Sequence, residues 1–259
     1  MDRRAIVAAI EQNFSDQIWS LRAFPEVEVY EDEYLRWAIT GVEFPPFNPV
    51  TRTVIPIDSA DRMIGETLAR FRTRGVPMLW LVAPSSEPVD LAQRLEAHGL
   101  ACSERVPGMA LDLGAAPEPS SAQPTGDVRL VRRENQLDDF MDVFSLGFGL
   151  SEAATAGFAQ IFRGPGREAY RRYVAYEEDR PVAVASLFLD GGVGGIYNVT
   201  TLPHLRRRGH GRDVTSAALD DARAQGAHLA VLTSSAEGHG VYRGLGFEEY
   251  CTFALYTNA

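Results

Sequence analysis

The chain has 259 residues, 45% of them hydrophobic and 10% aromatic, enough for two modest domains with real cores or one large one. Its net charge of −10 excludes a general nucleic-acid binder, which needs a basic face, and leans toward a neutral or cationic substrate. Two cysteines, Cys102 and Cys251, in no metal-ligating or paired spacing, exclude a zinc module and a disulfide framework, and both read as core thiols within strands.

No apolar run reaches membrane-spanning length, and the N-terminus is too polar for a secretory leader. The expectation is a cytoplasmic protein with neither membrane nor nucleic-acid partner. From residue 4 to 21, Ile6, Ile10, Phe14, Ile18 and Leu21 recur at helical spacing. Strands are predicted at 27–30 and 35–40, with Trp37 in the core, followed by a proline-rich loop at 41–49 that can line a cleft. Asp58 is placed to cap a helix that runs to Thr73 and stops at Gly75. A buried strand at 78–82, a helix at 90–98 closed by Gly99 and a strand at 102–113 complete the first half.

Residues 114–126 lose all apolar periodicity and read as a linker between domains at 1–113 and 127–259. The second half predicts a strand at 128–131, a helix at 135–148, and a helix after Ser151. Strands at 173–177, 182–189 and 196–202 follow, then a helix to Ala224. A strand at 229–233, a short helix at 241–245 and a last strand at 247–256 end the chain. The order β-α-α-β-β-β-α-β-α-β is that of a mixed α/β (α+β) sheet domain. The tail of the first half echoes it: helix, glycine, strand, two serines, helix, glycine, strand.

Chemistry concentrates after the strand ending at Leu202. Arg206, Arg207 and Arg208 precede Gly209-His210-Gly211-Arg212 and a helix. Free N–H groups and the dipole of a helix N-terminus suit an anion, glycines let the backbone approach it, and guanidinium forks match phosphate oxygens. The reading is a pyrophosphate cradle. The Walker pattern is excluded, because Arg212 and Asp213 stand where Lys and Ser/Thr are needed, and the dinucleotide fingerprint lacks its third glycine.

Arg206-x-x-Gly209-x-Gly211, with Tyr242-Arg243-Gly244-Leu245-Gly246-Phe247 downstream and Ser235 seven residues before the tyrosine, resembles the GCN5-related N-acetyltransferases (GNAT) over about residues 127–259. The resemblance implies two GNAT-like mixed-sheet domains in tandem, the first a degenerate copy without the cradle motif, there to cover a sheet face and wall the acceptor cleft. It implies acetyl-CoA as cofactor. Val199, Thr200, Thr201, Arg206 to Arg208, Gly209, His210, Gly211, Arg212 and Ser235 would hold it. The Val199 to Thr201 backbone would pair with the pantetheine arm and offer an oxyanion donor, and Tyr242 would be the general acid. No metal is implied.

The implied reaction is direct transfer to a primary amine of a small molecule or peptide, by a monomer or homodimer; the alternative is a non-catalytic acyl-CoA-binding module. The glutamate that some members use as base is replaced here by Gly195. Glu237, Glu152, His239 or a water chain remain open as substitutes, and His210 occupies a slot usually apolar in the family. Acceptor specificity is expected in the 41–50 loop, the 148–166 helix and loop, and the last strands.

Overall fold

The computed structural model describes residues 1–115, 127–164 and 167–258. The first half comprises α1 (Arg3–Trp19), β1 (Glu28–Glu31), β2 (Leu35–Ile39), β3 (Pro49–Thr53), α2 (Ala60–Arg74), β4 (Leu79–Val82), α3 (Leu91–Ala97) and β5 (Leu100–Asp112). The second comprises β6 (Asp127–Leu130), α4 (Glu134–Phe148), α5 (Glu152–Arg163), β7 (Tyr170–Glu177), β8 (Arg180–Asp190), β9 (Val193–Thr201), α6 (His210–Ala224), β10 (Leu229–Thr233), α7 (His239–Gly244) and β11 (Glu248–Asn258). The predicted order of the second half is the observed one. Of the predicted linker, residues 116–126 lie outside the described residues.

Local sequence explains most boundaries. In α2, Ala60, Ile64, Leu68 and Phe71 form one buried stripe, and Gly75 ends the helix in the left-handed region at φ +64°. Ser151 opens α5 by accepting a hydrogen bond from the Ala154 N–H at 3.1 Å. Three expectations need correction. Asp58 does not cap α2; Ser59 holds that position and makes no side-chain cap bond. The proline-rich stretch is not all loop, since Pro49 begins β3, where its missing N–H is harmless at the first strand position. Cys102 is exposed, because it lies in the part of β5 that runs past the end of β10, whose pairing begins only at Gly108. Cys251 is half-buried and burial pushes its thiol up to about 11.

All eleven strands form one sheet in the order β1-β2-β3-β4-β11-β5-β10-β9-β8-β7-β6. The middle of that order is an exchange. β11, from the second half, lies between β4 and β5 of the first; β5, from the first half, lies between β11 and β10 of the second. The pattern is the same read from either side. Each half has an antiparallel run, then a parallel pair (β3 with β4, β9 with β10), then the other half's last strand. The first half therefore extends the sheet edge to edge, and its α1 lies across the sheet face of the second half.

The helices divide between the two faces. Ile18 and Leu21, Phe140 and Phe144 of α4, and Phe158 and Phe162 of α5 share one cluster with Val174 and Val184. On the opposite face Val214, Ala218 and Leu219 of α6 pack on Ala183, Ala185, Leu187 and Ile196. One contact fixes α4 tightly. A Cβ on Gly147 would overlap the Thr200 side chain of β9. Helix propensity alone favours Ala over Gly by about 1 kcal/mol, whereas overpacking costs about 1–3 kcal/mol. Gly147→Ala is therefore expected to lower stability, read as a reduced urea midpoint at unchanged slope. Among the described residues no helix is long and apolar enough to cross a membrane.

Candidate functional site

The parallel pair β9 and β10 stays together for only three residue pairs, the last Val231 with Gly195. Beyond it β9 runs on to Thr201 hydrogen-bonded to β8 alone, so the sheet splits. Leu202 donates its N–H to Val182 O at 3.0 Å, and strand alternation then turns the backbone groups of Thr201 and Val199 toward the split. An extra residue in β9 precedes them. Between the pairs Val184–Thr200 and Ser186–Tyr197, β8 has one residue and β9 has two, and Asn198 takes φ +56° to absorb the bulge. As a result Tyr197 and Asn198 share one face, while Val199 returns to the other.

After β9 a short turn at Pro203–Leu205 leads to the arginine loop. Arg207 at φ +66° and Gly209 at φ +96° are its two left-handed residues. The N–H of Asp213 bonds Gly209 O at 3.1 Å, which makes it the first in-helix donor of α6. The preceding N–H groups of His210, Gly211 and Arg212 have no partner within the helix and sit at its positive end. A cleft of about 820 Å³ opens here.

The structure brings nearly every expected residue to this cleft: Val199, Thr200, Thr201, Arg206, Arg207, Gly209, His210, Gly211, Arg212, Ser235 and Tyr242 all line it. Arg208 does not; its guanidinium points away, 3.9 Å from Glu177 Oε2. Arg206 is part of the wall, donating to Gly147 O at 3.1 Å and Thr201 O at 3.4 Å and facing Glu237 at 3.3 Å. It ties the end of β9 to α4. His210 is 2% exposed, and neither ring nitrogen hydrogen-bonds a described group; Glu177 Oε2 lies 3.9 Å from Nε2. The Ser235 hydroxyl accepts from the Gly238 N–H at 3.2 Å and so shapes the turn into α7.

Tyr242 is buried to 8% exposure, packed edge-on against Phe247 at 6.0 Å, and its hydroxyl bonds no described group. Burial pushes the phenol up to about 12. Of the candidate bases, only Glu237 lines the cleft. Glu152 is exposed in the first turn of α5, and His239 is occupied by Glu249 at 2.6 Å. At Gly195 there is no room for a carboxylate: a Cβ would fall on Asn13 Oδ1 and on the Tyr197 ring. Those two groups bond each other at 2.7 Å, so α1 of the first half fills this place. Gly195→Glu is expected to cost about 1–3 kcal/mol and to bring no gain in turnover, as a denaturation curve and an initial-rate assay would show. Sequence reasoning had no signal for this pair, which joins residues 184 positions apart.

The first half has a corresponding split, and it is filled. β3 and β4 pair only at Pro49–Leu79 and Val50–Trp80. Past that point Glu87 donates to Thr53 O at 2.9 Å and accepts from Ile55 N at 3.1 Å, lying in the gap as an added strand would. The Trp80 indole closes it from below with a 2.9 Å bond to Thr53 Oγ1.

The split parallel pair thus leads through a glycine loop to a helix start whose first N–H groups have no partner within the helix. Residues 137–247 match the model of the acetyltransferase (GNAT) family, and this part of the chain is a GNAT domain. No curated protein matches the sequence. Among solved structures, a GCN5-related N-acetyltransferase from Kribbella flavida is similar over 96% of this chain and 95% of that one, with 20% identity and a TM-score of 0.72. A functionally unknown conserved protein from Staphylococcus epidermidis gives 13% identity, coverage of 92% and 96%, and a TM-score of 0.68. A tandem GNAT protein from the clavulanic acid biosynthesis pathway gives 17%, 94% and 86%, with a TM-score of 0.60. These likenesses establish the fold of the whole chain.

Proposed function

We propose that the chain is an acetyl-CoA-dependent N-acetyltransferase acting on a primary amine by direct attack in a ternary complex. The observation that carries this reading is the coincidence in one cleft of the free α6 N-terminus, the open edge of β9 and an unbonded phenol. The residues present fit the cofactor. The N–H groups of His210 to Arg212 suit its pyrophosphate, Arg207 and Arg212 add positive charge at the rim, and the Val199 and Thr201 backbone can pair with an extended pantetheine arm.

Acetyl-CoA supplies the acetyl group as a thioester. The amine nitrogen bonds the carbonyl carbon as the C–S bond breaks; nitrogen loses one proton and sulfur gains one. A backbone N–H at the open edge of β9 offers a donor to the carbonyl oxygen, an interaction worth about 3–4 kcal/mol in comparable sites. Tyr242 donates to the departing sulfur. With Gly195 in place of a carboxylate, the nitrogen proton leaves through water, or through Glu237 at the cleft wall.

We read residues 1–113 as a degenerate GNAT-like copy, 114–126 as a linker and 127–259 as the catalytic domain. The filled split between β3 and β4 and the reciprocal places of β5 and β11 support this division. The missing carboxylate also supports a second reading, an acyl-CoA-binding module without turnover. Thiol release with a panel of amines, alongside calorimetry with acetyl-CoA and ATP, separates them. Binding of acetyl-CoA with no release for any amine favours the second reading, and preference for ATP removes both.

A further inference from the structure

His210 begins α6, and with Val214 and Ala218 it forms the buried helix stripe that faces the sheet. Val214 packs on Ala175, Val182 and Ala183, which places the stripe against β7 and β8. An apolar side chain would fill the first position of that stripe at no polar cost. The imidazole stands there instead, 2% exposed, and neither of its nitrogens has a hydrogen-bond partner among the described residues. Buried polar atoms are rarely left so, and this one lines the cleft where the diphosphate is to lie.

The nearest charge is a carboxylate. Glu177 Oε2, at the end of β7, lies 3.9 Å from Nε2, too far for a hydrogen bond and close enough to attract a charged ring. Arg208 lies 3.9 Å from the same oxygen. Arg206 is tied into the wall, while Arg207 and Arg212 line the cleft. On α6 itself Asp213 follows Arg212, and β9 carries no charged residue. In the turn between β7 and β8, Glu178, Asp179 and Arg180 are exposed, and Arg129 of β6 holds Asp179 at 3.1 Å. On α7, Arg243 is exposed and His239 is held by Glu249. Burial, the positive helix end and the arginines work against a charge on the imidazole, and Glu177 works for it. Without an anion at the helix end, these influences oppose one another.

We infer that the His210 side chain is a proton-linked part of the diphosphate site: it takes up a proton from solvent as an organic diphosphate settles on the N–H groups of residues 210–212, and the charged ring pairs with Glu177. The diphosphate brings negative charge to the positive end of α6 and offsets Arg207 and Arg212. What opposed a charge on the ring is then cancelled. Imidazole is the side chain whose charge changes between pH 5 and 8, so the gain of one proton at Nε2 is within reach near neutrality. The Glu177 side chain is 42% exposed, which puts solvent one group away from the buried ring. The coupling runs both ways: the ligand draws a proton in, and the proton tightens the ligand. Affinity is therefore highest at the acid end of the window and falls as pH rises. The inference rests on the cofactor reading given above and adds a side chain to it.

The test is calorimetry of the full chain with dephospho-coenzyme A near neutral pH, in buffers of low and high ionisation heat. The dependence of the measured heat on the buffer counts the protons taken up. This probe keeps the diphosphate and lacks the 3′-phosphate, so no phosphate of its own titrates near neutrality. The expected result for wild type is uptake of at least about 0.3 proton per ligand, with a Kd that rises at least about threefold from about pH 6 to about pH 8.5. His210→Gln, which keeps a polar side chain that cannot titrate, should take up none and bind with a nearly flat pH profile. A merely structural role would weaken its binding equally at every pH. Glu177→Gln should take up less than half as much as wild type. Uptake by wild type below that threshold overturns the inference, and that measurement needs no variant to fold. Uptake that survives in H210Q assigns the proton to another group, such as His204, and overturns it too. In both cases binding itself leaves the cofactor reading standing. Failure of both dephospho-coenzyme A and acetyl-CoA to bind removes that reading and the inference with it.

Discussion

Tyr242→Phe is expected to lower kcat about 100-fold while leaving the acetyl-CoA Kd within twofold of wild type. The hydroxyl bonds no described group, so its removal orphans no partner, and the ring keeps its edge-on packing with Phe247. Thermal stability should therefore be unchanged. Positioned proton donors contribute about 10²–10⁴-fold, and the low end is the right choice here. With the phenol pushed up to about 12 and a free thiol near 8.5, complete proton transfer to sulfur is uphill by about 5 kcal/mol. The phenol therefore works mainly as a hydrogen-bond donor to negative charge growing on sulfur, and gives up its proton only as another replaces it. The pH profile carries the same signature. Since burial favours the neutral form, the donor stays protonated as pH rises, and kcat should show no alkaline fall up to about pH 11. A kcat within threefold of wild type for Y242F, or an alkaline limb near pH 9, would assign the donor elsewhere.

Much of this site was legible because it is local. The glycine loop, the helix after it and the order of strands are punctuated by Gly75, Gly149, Gly226 and Gly246, each at positive φ. Apolar spacing then fixes what lies between. What escaped the sequence is non-local. β5 and β11 show the same alternation whichever neighbour they have, so periodicity had no way to reveal that each lies in the other half's share of the sheet. The bulge at Asn198 has no composition signal, yet it turns Asn198 toward Phe24 and Phe162 on one face and Val199 toward the cleft on the other. The occupation of the Gly195 site by Asn13 and Tyr197 depends on α1 crossing from the other half. Arg208 was grouped with its neighbours by charge, whereas the left-handed turn at Arg207 sends it toward Glu177. Charge runs name a neighbourhood; backbone dihedrals decide which member faces the ligand.

The second large effect is expected at the loop itself. Gly209→Asp should weaken acetyl-CoA binding at least about 100-fold, equivalent to about 2.7 kcal/mol, with the fold retained. Two terms add. Gly209 sits at φ +96°, outside the region an L-residue adopts without strain, so the backbone must rotate and re-aim the N–H groups that follow it. A carboxylate then stands at the helix end where a diphosphate is to lie, and two like charges about 4 Å apart repel by several kcal/mol even at an effective dielectric near 20. Gly209→Ala keeps the first term and lacks the second, so its loss should be smaller, about tenfold. Stoichiometry distinguishes this from a chain with two working cradles. Glu87 and Trp80 already occupy the split of the first half. Calorimetry should give one acetyl-CoA per chain for wild type, and G209D should remove that single event. Two sites in wild type, or a residual full-affinity site in G209D, would mean that the first half opens its own gap by expelling residues 85–88. The two halves would then be functional equals, contrary to the asymmetry that their backbones display.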